Sequence, residues 1–248
     1  MLKAVFGYPM EAGGGPLRRW FARAAAAAAG RDASHIPWVP GGRLLEVGSG
    51  RGAVLAEYRQ LGWEVVGVEP AARGVELARL TGLDVRLGKL GEQSFPIACF
   101  DAVVLNHVLE HVSDPRSLLA EVHRVLKPGG WILVRLPNAE SWEARVYRED
   151  WWSWELPRHL IHFSPPTLHM VLAAAGFRIV RMRTELRPAN LGLNARWAAH
   201  RRWGRRIDPR LFTAVLLPLG AAASWRGRGG DLAALAQRMP DCAKALDG

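Results

Sequence analysis

From Arg43 onward, short apolar runs alternate with stretches whose apolar residues recur at helical spacing. Arg43-Leu-Leu-Glu-Val47 runs into Gly48-Ser-Gly-Arg-Gly52, and residues 53–61 then read as a helix stopped by Gly62. Residues 64–68 form a second strand ending at Glu69-Pro70, with 71–80 helical after it. Residues 84–87 and 100–105 read as a third and a fourth strand. Pro115 suits the first turn of a helix running to Leu126, which Lys127-Pro-Gly-Gly130 closes, and residues 131–136 are a fifth strand. This alternation predicts a parallel sheet covered by helices.

The regularity breaks after the fifth strand. Residues 138–163 hold Trp142, Trp151, Trp152 and Trp154 with little periodicity, which predicts a loop-rich cover. Residues 166–175 form a helix capped by Gly176, residues 177–185 alternate like a strand, and 189–225 look like two helices, the first Arg-rich and the second apolar. Residues 231–238 favour a helix on propensity alone. The alanine run 24–29 is most simply a helix preceding the sheet.

The 248 residues suit one large domain or one domain with an appendage, and 49% hydrophobic with 23% charged residues excludes a disordered or fibrous chain. Cys99 and Cys242 lie far apart with no Cys/His cluster, which argues against a disulfide framework and a structural zinc site. No secretory signal is evident, and the apolar run 211–223 is interrupted by Pro218 and too short to span a bilayer, so a cytoplasmic location is expected. The net charge of +10 is unevenly placed. Residues 1–177 carry 19 Lys/Arg and 18 Asp/Glu, whereas 178–248 carry 14 and 5.

The glycine-rich turn between the first strand and its helix lets a ligand approach the backbone at a helix N-terminus. Gly48-x-Gly50-x-x-Ala53 also satisfies a dinucleotide fingerprint, with Glu69 at the end of the second strand. Glu69 can hold a ribose diol for either kind of ligand. Glu46 discriminates, because a carboxylate just before the turn repels a pyrophosphate and attracts an ammonium group. S-adenosylmethionine carries an amino group and a sulfonium. The plain alternative is that these glycines serve only the turn.

Leu45-Glu-Val-Gly-Ser-Gly-Arg-Gly52, Val68-Glu-Pro70, Phe100-Asp-Ala-Val-Val-Leu-Asn-His-Val-Leu-Glu-His-Val112, Leu126-Lys-Pro-Gly-Gly-Trp131 and Ala175-Gly-Phe177 occur in order and at suitable spacings. Together they resemble a class I S-adenosylmethionine-dependent methyltransferase, of the small-molecule type with the Pro-Arg-His-Leu … His-Phe-Ser-Pro segment at 157–168. The resemblance spans about residues 40–186. It implies an α/β fold, a Rossmann-like three-layer sandwich whose seven-stranded, mostly parallel sheet ends in an antiparallel hairpin. Residues 231–238 would then be the last strand and 189–225 an inserted helical pair. The implied divisions are an N-terminal helical segment at 1–40, a methyltransferase domain at 41–186 and a basic/apolar helical insertion with the last strand at 187–248.

The resemblance also implies a cofactor-binding set of Glu46, Gly48, Ser49, Gly50, Glu69, Pro70, Lys89, Leu90 and Asn106. Glu46, Gly48 and Gly50 would line the methionine end, Glu69 would hold the ribose, Lys89-Leu90 would flank the adenine, and Asn106 would sit beside the methyl group. Many relatives have an acid where Lys89 stands, so a carboxylate contact to the adenine amino group is missing. Asp101, at the start of its strand, reads as structural.

Methyl transfer from a sulfonium is an in-line displacement that needs alignment and exclusion of water. A hydroxyl acceptor also profits from a base, usually His. His107, His111, His159 and His162 are candidates. His111, after the fourth strand, and His159, in the cover, are taken as catalytic, although each has a plain alternative as a packing or hydrogen-bonding residue. Ubiquinone-pathway O-methyltransferases resemble the Glu110-His111 stretch but carry a further acid upstream, where this chain has Asn106 and His107. Without that carboxylate the stretch does not assemble an oxygen-rich Mg²⁺ site, and no metal is expected. The tryptophans of the cover would stack on a planar acceptor or pack a lid.

Residues 178–210 hold ten arginines against Glu185 and Asp208, with Arg201, Arg202, Arg205 and Arg206 just before the apolar helix. Nucleic acid is not the expected partner, since the fourth strand ends in Asn-His rather than the Asn-Pro-Pro-Tyr of base-amino methylases. Peripheral contact of 196–224 with an anionic membrane would suit a lipid-linked or quinone acceptor. A solvated face packed on the sheet or on a partner subunit is the alternative. The expected activity is methyl transfer, at oxygen, to a small-molecule or lipid-linked acceptor. The rivals are an NAD-dependent oxidoreductase and a silent S-adenosylmethionine-binding scaffold.

Overall fold

The computed structural model describes residues 35–240. The alanine run, most of the expected N-terminal helical segment and Cys242 lie outside the described residues. Seven strands form one sheet in the order β3-β2-β1-β4-β5-β7-β6. They are β1 (Arg43–Val47), β2 (Glu64–Glu69), β3 (Asp84–Leu87), β4 (Phe100–Asn106), β5 (Leu126–Pro137), β6 (Phe177–Glu185) and β7 (Asp231–Arg238). The first five are mutually parallel, and β7 is antiparallel to both β5 and β6. The chain reverses its direction across the sheet between β1 and β4, the place where open α/β sheets leave a crevice beyond the strand ends.

Side chains alternate between the two faces, and both are covered. Leu45, Val47, Val103, Leu105, Val134 and Ala234 pack on one side with α3 (Pro115–Val125) and α5 (Pro165–Ala174). Leu44, Ala102, Val104, Leu133 and Leu235 pack on the other with α1 (Ala53–Gln60) and α2 (Ala72–Arg79). Burial on both faces explains why these strands read as unbroken apolar runs. Asp101 is structural, as read: its Oδ2 accepts from the Arg43 backbone N–H at 2.9 Å, and Lys127 Nζ lies 2.8 Å from Oδ1.

Two details differ from the sequence reading. The strand expected at 131–136 spans Leu126–Pro137, because Phe100 pairs with Leu126 while Ala102 pairs with Trp131. Lys127-Pro-Gly-Gly130 is an outward excursion within the strand rather than a stop before it. The cover is also more ordered than a loop, with α4 (Trp142–Tyr147) and 3₁₀ turns at Arg148–Asp150 and Trp152–Trp154.

Residues 231–238 are a strand, as topology required and propensity did not. The slot between β5 and β6 offers ladder bonds on both edges, and Ala233, Ala234 and Ala236 are fully buried in it. Tertiary context overrides the weak helical preference of Leu and Ala. The inserted pair, α6 (Pro188–Trp203) and α7 (Pro209–Trp225), crosses at Gly192, where any Cβ would run into the Pro209 carbonyl.

Candidate active site

The crevice beyond β1 and β2 is built from the turn that the sequence singled out. Gly48 and Ser49 both donate backbone N–H bonds to Val68 O, at 2.8 and 3.2 Å, which ties the turn to the end of β2. Gly48 has φ +69°, and a Cβ there would lie 2.7 Å from Val108 Cγ2, so only glycine fits. Gly50 also has positive φ, and the space at its Cβ position is open. Glu69 faces this turn from β2. Its Oε2 accepts from Gly50 N at 2.7 Å and its Oε1 from Ala71 N at 2.8 Å. Each oxygen keeps a second lone pair for a ligand.

Glu46 is 2% exposed, and its Oε2 has no hydrogen-bond partner among the described residues. Burial pushes its carboxyl up to about 8, against the lowering effect of a backbone hydrogen bond from Leu55 in the first turn of α1. A buried carboxyl with one idle oxygen is suited to a ligand that brings a positive charge.

The remaining expected cofactor residues are more dispersed in environment. Ser49 is buried with an idle hydroxyl, and Pro70 is exposed. Lys89 is exposed, while Leu90 is buried in the core, so the Leu90 side chain is not open to a ligand. The Lys89 N–H is taken by Glu92 Oε2 at 2.8 Å. Asn106 is half-buried at the end of β4, opposite Arg135.

Beyond the end of β4, against the cover, the structure brings His111 and His159 together, their ring centroids 4.6 Å apart. His111 Nδ1 lies 3.0 Å from the Arg158 carbonyl, and His159 Nδ1 lies 2.7 Å from the Ser153 carbonyl. His162 is 6.2 Å from His159, centroid to centroid, and packs edge-on against Trp154. Burial first, and then the neighbouring His159, lower the His162 pKa. His107 is separate from this group. Its Nδ1 is 3.0 Å from Glu110 Oε1, and its Nε2 lies 2.8 Å from Arg187 Nη1 and 3.6 Å from Asp231 Oδ2. Burial works against the imidazolium, but hydrogen bonds to Asp231 and Glu110 outweigh it and push the ring up to about 9. The Arg187 contact at 2.8 Å requires a neutral Nε2, so the two partners favour opposite protonation states. The upward direction prevails because both carboxylates are buried, whereas the Arg187 guanidinium is half-exposed and is itself neutralised by Asp231 Oδ2 at 3.3 Å.

Glu143 and Asp231 were not among the expected site residues, and Glu110 was noted only beside His111. Glu110, Glu143 and Asp231 are each at most 4% exposed. Burial first, and then the nearby Asp231, push the Glu143 carboxyl up to about 7. Asn194 on α6 donates to Glu143 Oε1 at 3.0 Å and accepts from the Trp152 N–H at 2.8 Å, so the inserted helices hold the cover in place. Arg201 and Arg202 serve the same purpose, lying 3.2 and 2.5 Å from the Asp150 carboxylate. The basic cluster is therefore divided, with half of it structural. Acids interrupting apolar periodicity were the available signal, but the partners of Glu143 and Asp150 lie more than 50 residues away.

A Rossmann-like sheet with this turn, a buried acid before it and a second acid at the end of β2 is the arrangement of a class I S-adenosylmethionine-dependent methyltransferase. Residues 12–182 match a methyltransferase-domain family, and the chain belongs to that family. A ubiquinone biosynthesis O-methyltransferase of Bradyrhizobium sp. (strain ORS 278) is 34% identical over 136 residues, 52% of this chain and 53% of that protein. One of Cereibacter sphaeroides (strain ATCC 17029 / ATH 2.4.9) is 30% identical over 158 residues, 59% of this chain and 64% of that protein. The chain thus spans about half the length of the curated relatives it matches. Among solved structures, an S-adenosylmethionine-dependent methyltransferase from Methanosarcina mazei shares the fold, with a TM-score of 0.58 and 19% identity, covering 82% of this chain and 95% of that one.

Proposed function

We propose that the chain transfers the methyl group of S-adenosylmethionine to an oxygen of a small or lipid-linked acceptor. The observation that carries this reading is the buried Glu46 carboxyl with an idle oxygen beside the glycine turn and Glu69. In the proposed arrangement Glu46 meets the cofactor's ammonium, Glu69 meets its ribose and Asn106 lies beside the methyl group. The acceptor enters between the ends of β4 and β5 and the cover. Its oxygen attacks the methyl carbon in line with the breaking C–S bond, and sulfur keeps the bonding pair as S-adenosylhomocysteine leaves. The His111–His159 pair receives the hydroxyl proton. A carbonyl at Nδ1 can only accept, so Nδ1 carries the hydrogen in each ring; that leaves the Nε2 lone pair of His111 for the task, while Nε2 of His159 faces Glu155 Oε2 at 3.2 Å. Oxygen as the accepting atom is supported by relatives whose names specify O-methyltransferases.

Incubation with isotopically labelled S-adenosylmethionine and fractionated extract tests the reading. An O-methylated product is expected. His111→Gln should lower kcat 100-fold or more, with the cofactor Kd unchanged. A product labelled at nitrogen or carbon would contradict the oxygen assignment. Cofactor bound without transfer to any fraction would favour the scaffold alternative.

A lipid-linked acceptor is favoured by the outer surface of α7. Leu211, Val215, Leu219 and Trp225 form an exposed stripe on one side of that helix, with Val215 at 67% and Trp225 at 88% exposure. Arg205, Arg206, Arg210, Arg226 and Arg228 are exposed at its two ends. Among the described residues no helix is long and apolar enough to cross a membrane. An apolar stripe flanked by arginines suits the surface of an anionic bilayer. The protein should sediment with phosphatidylglycerol vesicles and not with phosphatidylcholine vesicles, and Val215→Asp combined with Leu219→Asp should reduce binding more than tenfold. Equal indifference to both vesicle types at low salt would contradict this contact.

A further inference from the structure

We propose that Glu110, His111 and His159 form a binding site for one first-row divalent ion of zinc-like softness on the acceptor side of the sheet. The proposal rests on the methyltransferase reading above, and it changes how the two imidazoles act, from free bases to metal ligands.

Glu110 and His111 sit in the single 3₁₀ turn Leu109–His111 that follows β4, and His159 comes from the cover. One ligand atom from each lies within 4.8 Å of the other two. The two segments are stitched together by backbone, since Leu160 N and Ile161 N both donate to the Glu110 carbonyl, at 2.7 and 3.3 Å. The geometry is therefore set by the chain rather than by free rotation of surface side chains.

Each ligand is also held from behind. His111 and His159 donate their Nδ1–H to the carbonyls of Arg158 and Ser153, which fixes the tautomer and leaves Nε2 as the donor atom. Metal-binding histidines are characteristically oriented in this way. Glu110 Oε1 is engaged by His107 at 3.0 Å. Its Oε2 is buried and has no hydrogen-bond partner among the described residues, in a side chain 2% exposed. An idle buried carboxylate oxygen is costly, and a cation supplies what it lacks.

Two imidazole nitrogens and one carboxylate oxygen suit zinc, iron or cobalt better than magnesium or calcium, which prefer all-oxygen shells. This donor set also differs from an oxygen-rich site along 106–111, because its third member lies 48 residues beyond His111. Tetrahedral zinc with bonds of about 2.1 Å places its ligand atoms about 3.4 Å apart, so closing the site takes a shift shared between side chains. Three protein ligands leave a coordination position open, as catalytic zinc sites do. An acceptor hydroxyl bound there releases its proton to solvent more readily, and its oxygen then attacks the methyl carbon while the C–S bond breaks toward sulfur. The competing arrangement is an ion pair, since Glu155 Oε2 is 3.2 Å from His159 Nε2.

The test uses the full chain, stripped with a chelator and titrated with Zn²⁺ by calorimetry and with Co²⁺ by visible absorption. Expected are one ion per chain and d–d bands from bound Co²⁺. His111→Gln and His159→Gln should each weaken binding tenfold or more. His169→Gln, on an exposed position of α5, should leave binding unchanged. Binding of S-adenosylmethionine is measured on every sample. It reports whether the buried His159→Gln variant folds, and half-buried His111 carries the test if it does not. Stripped enzyme should transfer methyl groups slowly and recover with Zn²⁺. No stoichiometric ion in protein that still binds S-adenosylmethionine would overturn the proposal and leave the proposed function standing. Full activity of stripped enzyme, with His111→Gln defective, would also overturn it in favour of a free base. Loss of Zn²⁺ binding in His169→Gln would reassign the ion to surface histidines. Metal binding without S-adenosylmethionine binding would instead support the site and refute the reading it serves.

Discussion

Glu69→Ala is expected to weaken S-adenosylmethionine binding at least 100-fold while the protein stays folded. The carboxylate is 8% exposed, and its two oxygens already accept from Gly50 and Ala71, which fixes its plane. Two ribose hydroxyls would use the remaining lone pairs. Hydrogen bonds to a charged acceptor contribute about 1.5–3 kcal/mol each, so losing a pair costs several kcal/mol of binding. The variant also frees the Gly50 N–H and loosens the turn, which adds to the loss. Thermal unfolding without ligand should show a modest drop, on the order of 1 kcal/mol, since the core beneath is untouched. A Kd within threefold of the parent would show that the ribose is held elsewhere.

The second large effect is a proton coupled to cofactor binding at Glu46. With its carboxyl at about 8, Glu46 is mostly protonated at pH 7 in the free protein. An incoming ammonium group favours the carboxylate, so binding expels close to one proton. Affinity should therefore rise nearly tenfold from pH 6 to pH 7, then level off near pH 8 where the ligand's own amino group deprotonates. Calorimetry in two buffers of different ionisation enthalpy reads the released proton directly. Glu46→Gln should bind at least 30-fold more weakly at pH 7.5 and release no proton. The stability of the free protein should move the opposite way. The folded carboxyl lies above its unfolded value of 4.5, so the native state holds more protons between pH 4.5 and 8, and stability falls as pH rises through that window. Glu143, pushed up to about 7, acts in the same direction. Binding independent of pH with Glu46 intact would remove it from the cofactor site.

Most of the sheet and the glycine-turn crevice beyond β1 and β2 were legible because their signals are local. Short runs of four to seven residues, three of them followed at once by Gly48, Pro70 or Gly88, marked β1 to β4 nearly to the residue. The glycine turn, Glu46 and Glu69 are adjacent to those signals. The strand at 231–238 was not legible locally, because Asp-Leu-Ala-Ala-Leu-Ala-Gln-Arg is ordinary helix composition and becomes a strand only between two waiting edges. The side of the crevice under the cover was opaque for a related reason. Glu110 meets the backbone of Leu160 and Ile161, Asn194 meets Glu143, and Arg202 meets Asp150, all across separations that periodicity does not carry. His111 and His159 were each visible as candidates, but nothing in the chain announced that their rings would touch. The arginines at 201 and 202 looked like a binding patch and are ties to the cover, whereas Arg205 and Arg206 do face outward.

Calorimetric titration of the purified chain with S-adenosylmethionine, S-adenosylhomocysteine and NAD tests the central claim most directly. Micromolar binding of the first two, no heat from NAD and loss of both signals in Glu69→Ala are predicted. Binding of NAD with silence from the two sulfur compounds would contradict the assignment of the Glu46 crevice and the methyl transfer built on it.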